Sequence, residues 1–230
     1  MTERPLEELV NSEDSAMRMI SEWISDSGKA AQVLPASENL GADALVALQV
    51  TTASPLGALA YETGGIIIDD GWLRLLGADS PNLGRGIVGW NRIGEERHRL
   101  DGGLLIADDA MGGFFAINGG GLPGPSGNVF YLAPDTCEWE DLSMGHTDWV
   151  HWAITEDLSG FYESVRWEGY QDEIASLRGN QCIMVYPFLW AEGPAIADRS
   201  RKPIPVEEAW ELHAIEFSKQ LGTTGNNDAS

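Results

Sequence analysis

The spacing of apolar residues changes character in the middle of the chain, and the change marks out a sheet. From Asp101 to Ile154 the runs LLIADD, GFFAIN, NVFYLA and EWEDL are separated by Ala110-Met111-Gly112, a glycine loop and Pro134-Asp135-Thr136. Short β-branched and aromatic runs bounded by turn residues read as strands joined in a meander. Thr147 then opens DWVHWAI, in which Trp149, Trp152 and Ala153 recur at helical spacing, so a helix follows the last strand.

Upstream, the period is helical. Leu6, Leu9 and Val10 start a short helix behind Pro5, and Met17, Ile20, Trp23 and Ile24 follow a capping Asp14 or Ser15 and stop at Gly28. Leu40, Ala44, Leu45 and Leu48 predict another helix, with Gly41 weakening its first turn. These segments form an N-terminal helical layer. SPLGALAYETGG reads as a capped helix ended by Gly64 or Gly65, and IIIDDGWLRLLG as two strands about an Asp70-Gly71 turn. The continuous run Ile66 to Ile68 predicts burial on both faces, with Trp72 beginning the partner strand.

Residues 77–102 mix glycines with Arg85, Arg92, Arg97 and Arg99 and show weak periodicity, which predicts a long loop with one helical turn near Val88 to Arg92. Loops of that length are commonly mobile or functional, so this one is the first candidate for a moving or partner-contacting segment. After the meander, Ser159 caps FYESVRWEGY, and a further predicted helix runs through Ile174 and Leu177 and stops at Gly179; QCIMVYPF reads as a strand. Residues 191–205 form a connection. Pro205 introduces a final helix, VEEAWELHAIEFSKQL, ended by Gly222, and residues 223–230 read as a disordered tail. The pattern predicts one decorated α+β domain over residues 1–222, with a central, mostly antiparallel sheet and C-terminal helices.

Composition narrows the function. With 14 Lys and Arg against 36 Asp and Glu, the formal charge is −22. That field opposes phosphate backbones and anionic membrane surfaces and favours a basic protein partner. The N-terminus lacks the features of a secretory signal, so the expected compartment is the cytoplasm. Cys137 and Cys182 are too few for a disulfide framework and read as buried, reduced thiols.

Candidate chemistry is sparse. Gly119, Gly121 and Gly124 match the letters of a dinucleotide fingerprint, but Pro123, Pro125 and a strand follow where a helix N-terminus is needed. Asp69-Asp70 and Asp108-Asp109 precede glycine turns, and their carboxylates are expected to serve turn geometry. His146 and His151 are five apart, which is the wrong separation for one helical face, although Asp148 and His151 share one. No serine stands in a nucleophile elbow. Thus no catalytic, cofactor or metal set is recognisable. If an enzyme is present, a hydrolase or metal-dependent enzyme would use Glu62, Asp108, Asp109 and His151 brought together by folding. Nine tryptophans suit a core, and an exposed aromatic cluster would instead mark an interaction face.

The segments SPLGALAYETGGIIIDDGWLRLLG, LLIADDAMGGFFAINGG and VFYLAPDTCEWEDLSMGHTDWVHWAI, with SRKP-x-PVEE-W near residues 200–210, resemble a bacterial family known only as a domain of unknown function. Over about residues 54–155 the order more distantly resembles the SUKH superfamily, with Glu62-Thr63-Gly64-Gly65 standing where that superfamily usually shows an asparagine-glycine pair. The resemblance implies a SUKH-like α+β core and a non-enzymatic protein-binding role, as in immunity proteins that neutralise bacterial toxins. It carries over no functional residue.

Overall fold

A computed structural model describes the backbone of residues 3–224 apart from Ser12 and Glu38. In chain order the elements are α1 (Leu6–Leu9), α2 (Met17–Ser27), β1 (Ala31–Leu34), α3 (Leu40–Leu48), α4 (Pro55–Glu62), β2 (Gly65–Ile68), β3 (Leu73–Leu76) and α5 (Ile87–Asn91). They continue with β4 (Gly103–Asp109), β5 (Phe114–Asn118), β6 (Asn128–Leu132), β7 (Trp139–Gly145), α6 (His146–Thr155), α7 (Tyr170–Ala175), β8 (Gln181–Tyr186), β9 (Ser200–Pro205) and α8 (Val206–Thr224). Strands β1 to β7 form one antiparallel sheet in sequence order, and β8 pairs with β9 in a separate ribbon. This is the expected α+β architecture with an antiparallel sheet.

Strand register sorts the side chains. One face carries the row Val33, Ile66, Leu75, Ala107, Phe115 and Tyr131, and Phe115 packs 5.0 Å from Trp149 of α6. The other carries Gln32, Ile67, Arg74, Asp108, Phe114, Leu132 and Trp139. Phe114 meets Trp90 of α5 and, edge-on, Trp210 of α8. A single buried cluster extends from Ile20 through both sheet faces to Trp210.

Local chemistry explains several boundaries. Ser54 Oγ accepts from Gly57 N at 3.2 Å and Pro55 opens α4, as the sequence predicts. Gly41 has a packing reason: a Cβ there would lie 2.1 Å from the Tyr61 carbonyl oxygen, so α3 crosses α4 only without a side chain. The β2–β3 turn is a 3-10 segment, Asp69–Gly71, in which all three residues take positive φ. Arg166 closes it, pairing with Asp69 and lying over Trp72, Tyr162 and Tyr170 at 4.4, 5.1 and 4.8 Å from the ring centroids.

Other expectations need correction. Ile67 is only half-buried and faces a cleft, while Ile66 and Ile68 are in the core. The helix expected over FYESVRWEGY is reduced to a 3-10 turn at Glu163–Val165, while the further helix through Ile174 is α7, which begins after Gly169 takes a left-handed φ of 79° and stops at Ala175, short of Leu177. Ser159 instead bonds the Asp157 carboxylate through both its N–H and its hydroxyl. Residues 200–205 are a strand, not part of a connection, and β1 was not expected. Helix α8 passes Gly222 to Thr224, and residues 225–230 of the expected tail lie outside the described residues.

Gly65 tests the turn into β2. Its φ is +130°, and a Cβ would lie 2.5 Å from Leu83 Cδ1 and 2.6 Å from the Leu75 carbonyl oxygen. Gly65→Val therefore combines strain with a backbone clash, and its urea midpoint should fall by the equivalent of about 3 kcal/mol or more. An unchanged midpoint would show that this turn does not need glycine.

Candidate functional site

The four residues proposed for hydrolysis have separate surroundings. Glu62 ends α4 and accepts a hydrogen bond from Ser15 Oγ. His151 is exposed on α6, edge-on to Trp23 at 4.9 Å. Asp108 and Asp109 are neighbours in β4 and point to opposite faces. No hydrogen bond or ion pair joins any two of the four among the described residues, and no three His, Cys, Asp or Glu side chains there are grouped to hold a metal.

Asp109 does the work expected of a turn aspartate. Its Oδ1 accepts from Met111 N at 2.8 Å and Gly113 N at 2.9 Å, and its Oδ2 from Tyr131 Oη at 2.7 Å. Burial pushes the carboxyl above its ordinary range, and these hydrogen bonds act against that rise.

Asp108 corrects the expectation. It is fully buried within the strand and bridges two guanidinium groups, Arg74 at 2.7 Å on Oδ1 and Arg85 on Oδ2. The Arg74 contact is an ion pair without hydrogen-bond geometry. Arg74 also donates to the carbonyls of Asp109 and Gln181, and Arg85 to those of Leu83 and Gly179. Burial lowers the Arg85 pKa, and Asp108 opposes that shift. One carboxylate thus joins β3, β4, the residue 77–102 connection and the approach to β8. That connection is further pinned by Asn91, whose side chain exchanges two hydrogen bonds with the Leu105 backbone. Sequence reasoning passed over both arginines. The available signal was Arg74 inside the apolar run LRLL, a charge that burial obliges to find a partner.

Beside Arg74 an open cleft of about 960 Å³ is walled by Gln32 and Ile67 of the sheet, by Ile174 of α7 and by residues 81–84 and 177–180. A second surface lies beyond β8. Tyr186 is 68% exposed, Phe188 is 6.0 Å from it, and Phe188 stacks on Trp190 at 4.6 Å and 12°. Arg199 fixes this loop by donating to the carbonyls of Pro187, Phe188, Ala191 and Pro194. Trp190 packs edge-on to the buried His213 at 5.4 Å. The aromatic segment of QCIMVYPF thus outlasts its strand and forms a platform. The Gly119–Gly124 loop is followed by β6; Asn118 organises it, accepting from Gly120 and Leu122 and donating to three carbonyls. Cys137 and Cys182 are free and buried, and burial raises both thiols to about 12, which leaves little thiolate for chemistry.

Two predictions follow from these buried groups. Replacing the central carboxylate with an amide, in Asp108→Asn, leaves Arg74 and Arg85 without their counterion, and urea unfolding should show a loss of about 3–5 kcal/mol. A loss below about 1 kcal/mol would mean that the pair is solvated. Burial also holds His213 down at about 4 from an ordinary 6.5. The unfolded chain therefore binds a proton below pH 6.5 that the folded chain refuses. Stability is complete above that value and falls toward pH 4, by on the order of 3 kcal/mol from this group. A His213→Gln variant should show a flatter urea-midpoint profile between pH 6.5 and 4; an unchanged slope would assign that loss elsewhere.

Comparison with known proteins places the chain. The model for the protein family of unknown function DUF2625 matches residues 6–209. The uncharacterized protein YbfG of Escherichia coli (strain K12) is 42% identical over 211 residues, covering 91% of this chain and 95% of YbfG. An uncharacterized protein of Haemophilus influenzae (strain ATCC 51907 / DSM 11121 / KW20 / Rd) is 34% identical over 217 residues, covering 93% of this chain and 95% of that protein. No solved structure matches the chain significantly.

Proposed function

We propose that this chain, which belongs to the DUF2625 family, is a cytosolic, non-enzymatic protein-binding module whose contact face is the aromatic platform of Tyr186, Phe188 and Trp190. The observation that carries the reading is Tyr186, a large aromatic side chain left 68% exposed at the end of β8, next to a loop that Arg199 holds in place. Tyr and Trp anchors contribute disproportionately to protein interfaces, and a preorganised loop loses little freedom on binding. A net charge of −22 favours a basic partner and speeds its approach. The distant SUKH resemblance over residues 54–155 supports the same role, including toxin neutralisation as one form of it. Nucleic acid and anionic membrane surfaces are poor partners for this charge. No helix among the described residues is long and apolar enough to cross a membrane.

The test is purification of the tagged protein from its own host beside a Tyr186→Ser variant. The wild type should retain a specific protein that the variant loses by about tenfold or more, as expected for removal of an anchor contributing more than 1.4 kcal/mol. Tyr186 is exposed, so the urea midpoint of the variant should stay unchanged within about 0.5 kcal/mol. Equal recovery by both proteins, or repeated recovery of none, would count against the platform as a contact face.

A further inference from the structure

A smaller pocket of about 370 Å³ lies between α5 and the start of α8, in the arginine-bearing connection that the aromatic platform leaves unused. Arg85, Trp90, Arg99, Val206 and Glu207 line it, with Asp79 at its wall. Arg99, whose side chain is 6% exposed, donates through both terminal nitrogens to Glu207, at 2.8 and 2.9 Å. Its Nε is taken by the Trp90 carbonyl, and its guanidinium lies 3.9 Å from the Trp90 ring centroid. Arg92 reaches the same Glu207 carboxylate at 3.7 Å.

We propose that this pocket binds a small-molecule carboxylate and that the Glu207 side chain occupies the ligand's place when the pocket is empty. The Arg99 fork already holds a planar carboxylate in two-point geometry, which selects that group over a rounder anion. Two buried donors at the pocket, Arg85 Nε and Trp90 Nε1, have no partner, although the Arg85 side chain is only 7% exposed. Unpaired buried donors are rare and call for an acceptor. The start of the 19-residue α8 adds positive potential at the same place.

Charge supports the exchange. Arg85 and Arg99 line the pocket with Asp79 and Glu207, so two positive groups face two negative ones in a chain whose total is −22, and turning Glu207 away leaves a local positive excess. The Glu207 side chain is 44% exposed and can turn into water without losing hydration, which leaves Arg99 and Arg92 to the ligand. The volume is within the range of small-molecule sites.

Thermal unfolding in the presence of acetate, succinate or inorganic phosphate, each balanced with sodium chloride to one ionic strength, tests the assignment. At least one carboxylate should raise Tm in a concentration-dependent way. Glu207→Gln removes the competing charge and should tighten that binding about tenfold, whereas Arg99→Met should abolish it. Three results would overturn the proposal: no response of Glu207→Gln to either carboxylate, an equal response of a folded Arg99→Met, or a response to phosphate alone. The Glu207→Gln titration decides the matter by itself if Arg99→Met does not fold.

Discussion

A lone carboxylate held between two guanidiniums, away from water, is the constraint on which the two faces of this protein depend. Asp108 comes from β4, Arg74 from β3 and Arg85 from the connection before α5, and the remaining arginine donors reach carbonyls at Leu83, Asp109, Gly179 and Gln181. Desolvating three charges is expensive, and a well-packed apolar cluster of the same volume can be as stable. The contribution of the cluster is position. It tells the central sheet where the C-terminal ribbon belongs, through bonds that have direction, where apolar contacts alone would tolerate sliding.

The meander, the helix after it and the α4-to-β3 unit were readable in the residues because each couples a strong period to turn chemistry that agrees with it. Ser54 and Pro55 fix one end of α4, and Gly65 and Gly71 supply positive φ where the backbone requires it. The missed strands lacked such agreement. In β1 only Leu34 is buried, and in β9 only Ile204, so neither alternates apolar with polar residues. Strand β9 also carries Pro203 and Pro205, which a strand pairing on one side alone can tolerate at alternate positions. The helix expected over FYESVRWEGY shrank to one 3-10 turn, and the further helix begins only after Gly169 turns left-handed.

The site was less legible than the fold, for a physical reason. Asp108 and Asp109 look equivalent in the sequence, yet strand alternation sends one to an ionic pocket and the other to a turn, and only the partners distinguish them. Arg74 gave a local hint because it interrupts an apolar run. Arg85, Arg99 and Glu207 gave none, since Arg99 and its carboxylate are far apart in the chain and meet only after β8 and β9 have placed α8. The aromatic platform has the same dependence: Trp190 leans on His213, which in turn lies near Phe114 of the central sheet.

Among the described residues, one backbone bond, Ile183 N to Ala110 O just past β4, ties the ribbon to the main sheet, and the other contacts run through side chains. The ribbon's residues are also synthesised after every strand of the large sheet. While a nascent chain awaits β8 and α8, the surface bearing Phe114 and the Asp108 pair has only α5 and its connection as cover, although every strand of the large sheet already exists. Premature termination before Gln181 would therefore release a polypeptide with a nearly finished scaffold and a sticky, charged flank. Quality control during translation would meet this protein at that stage.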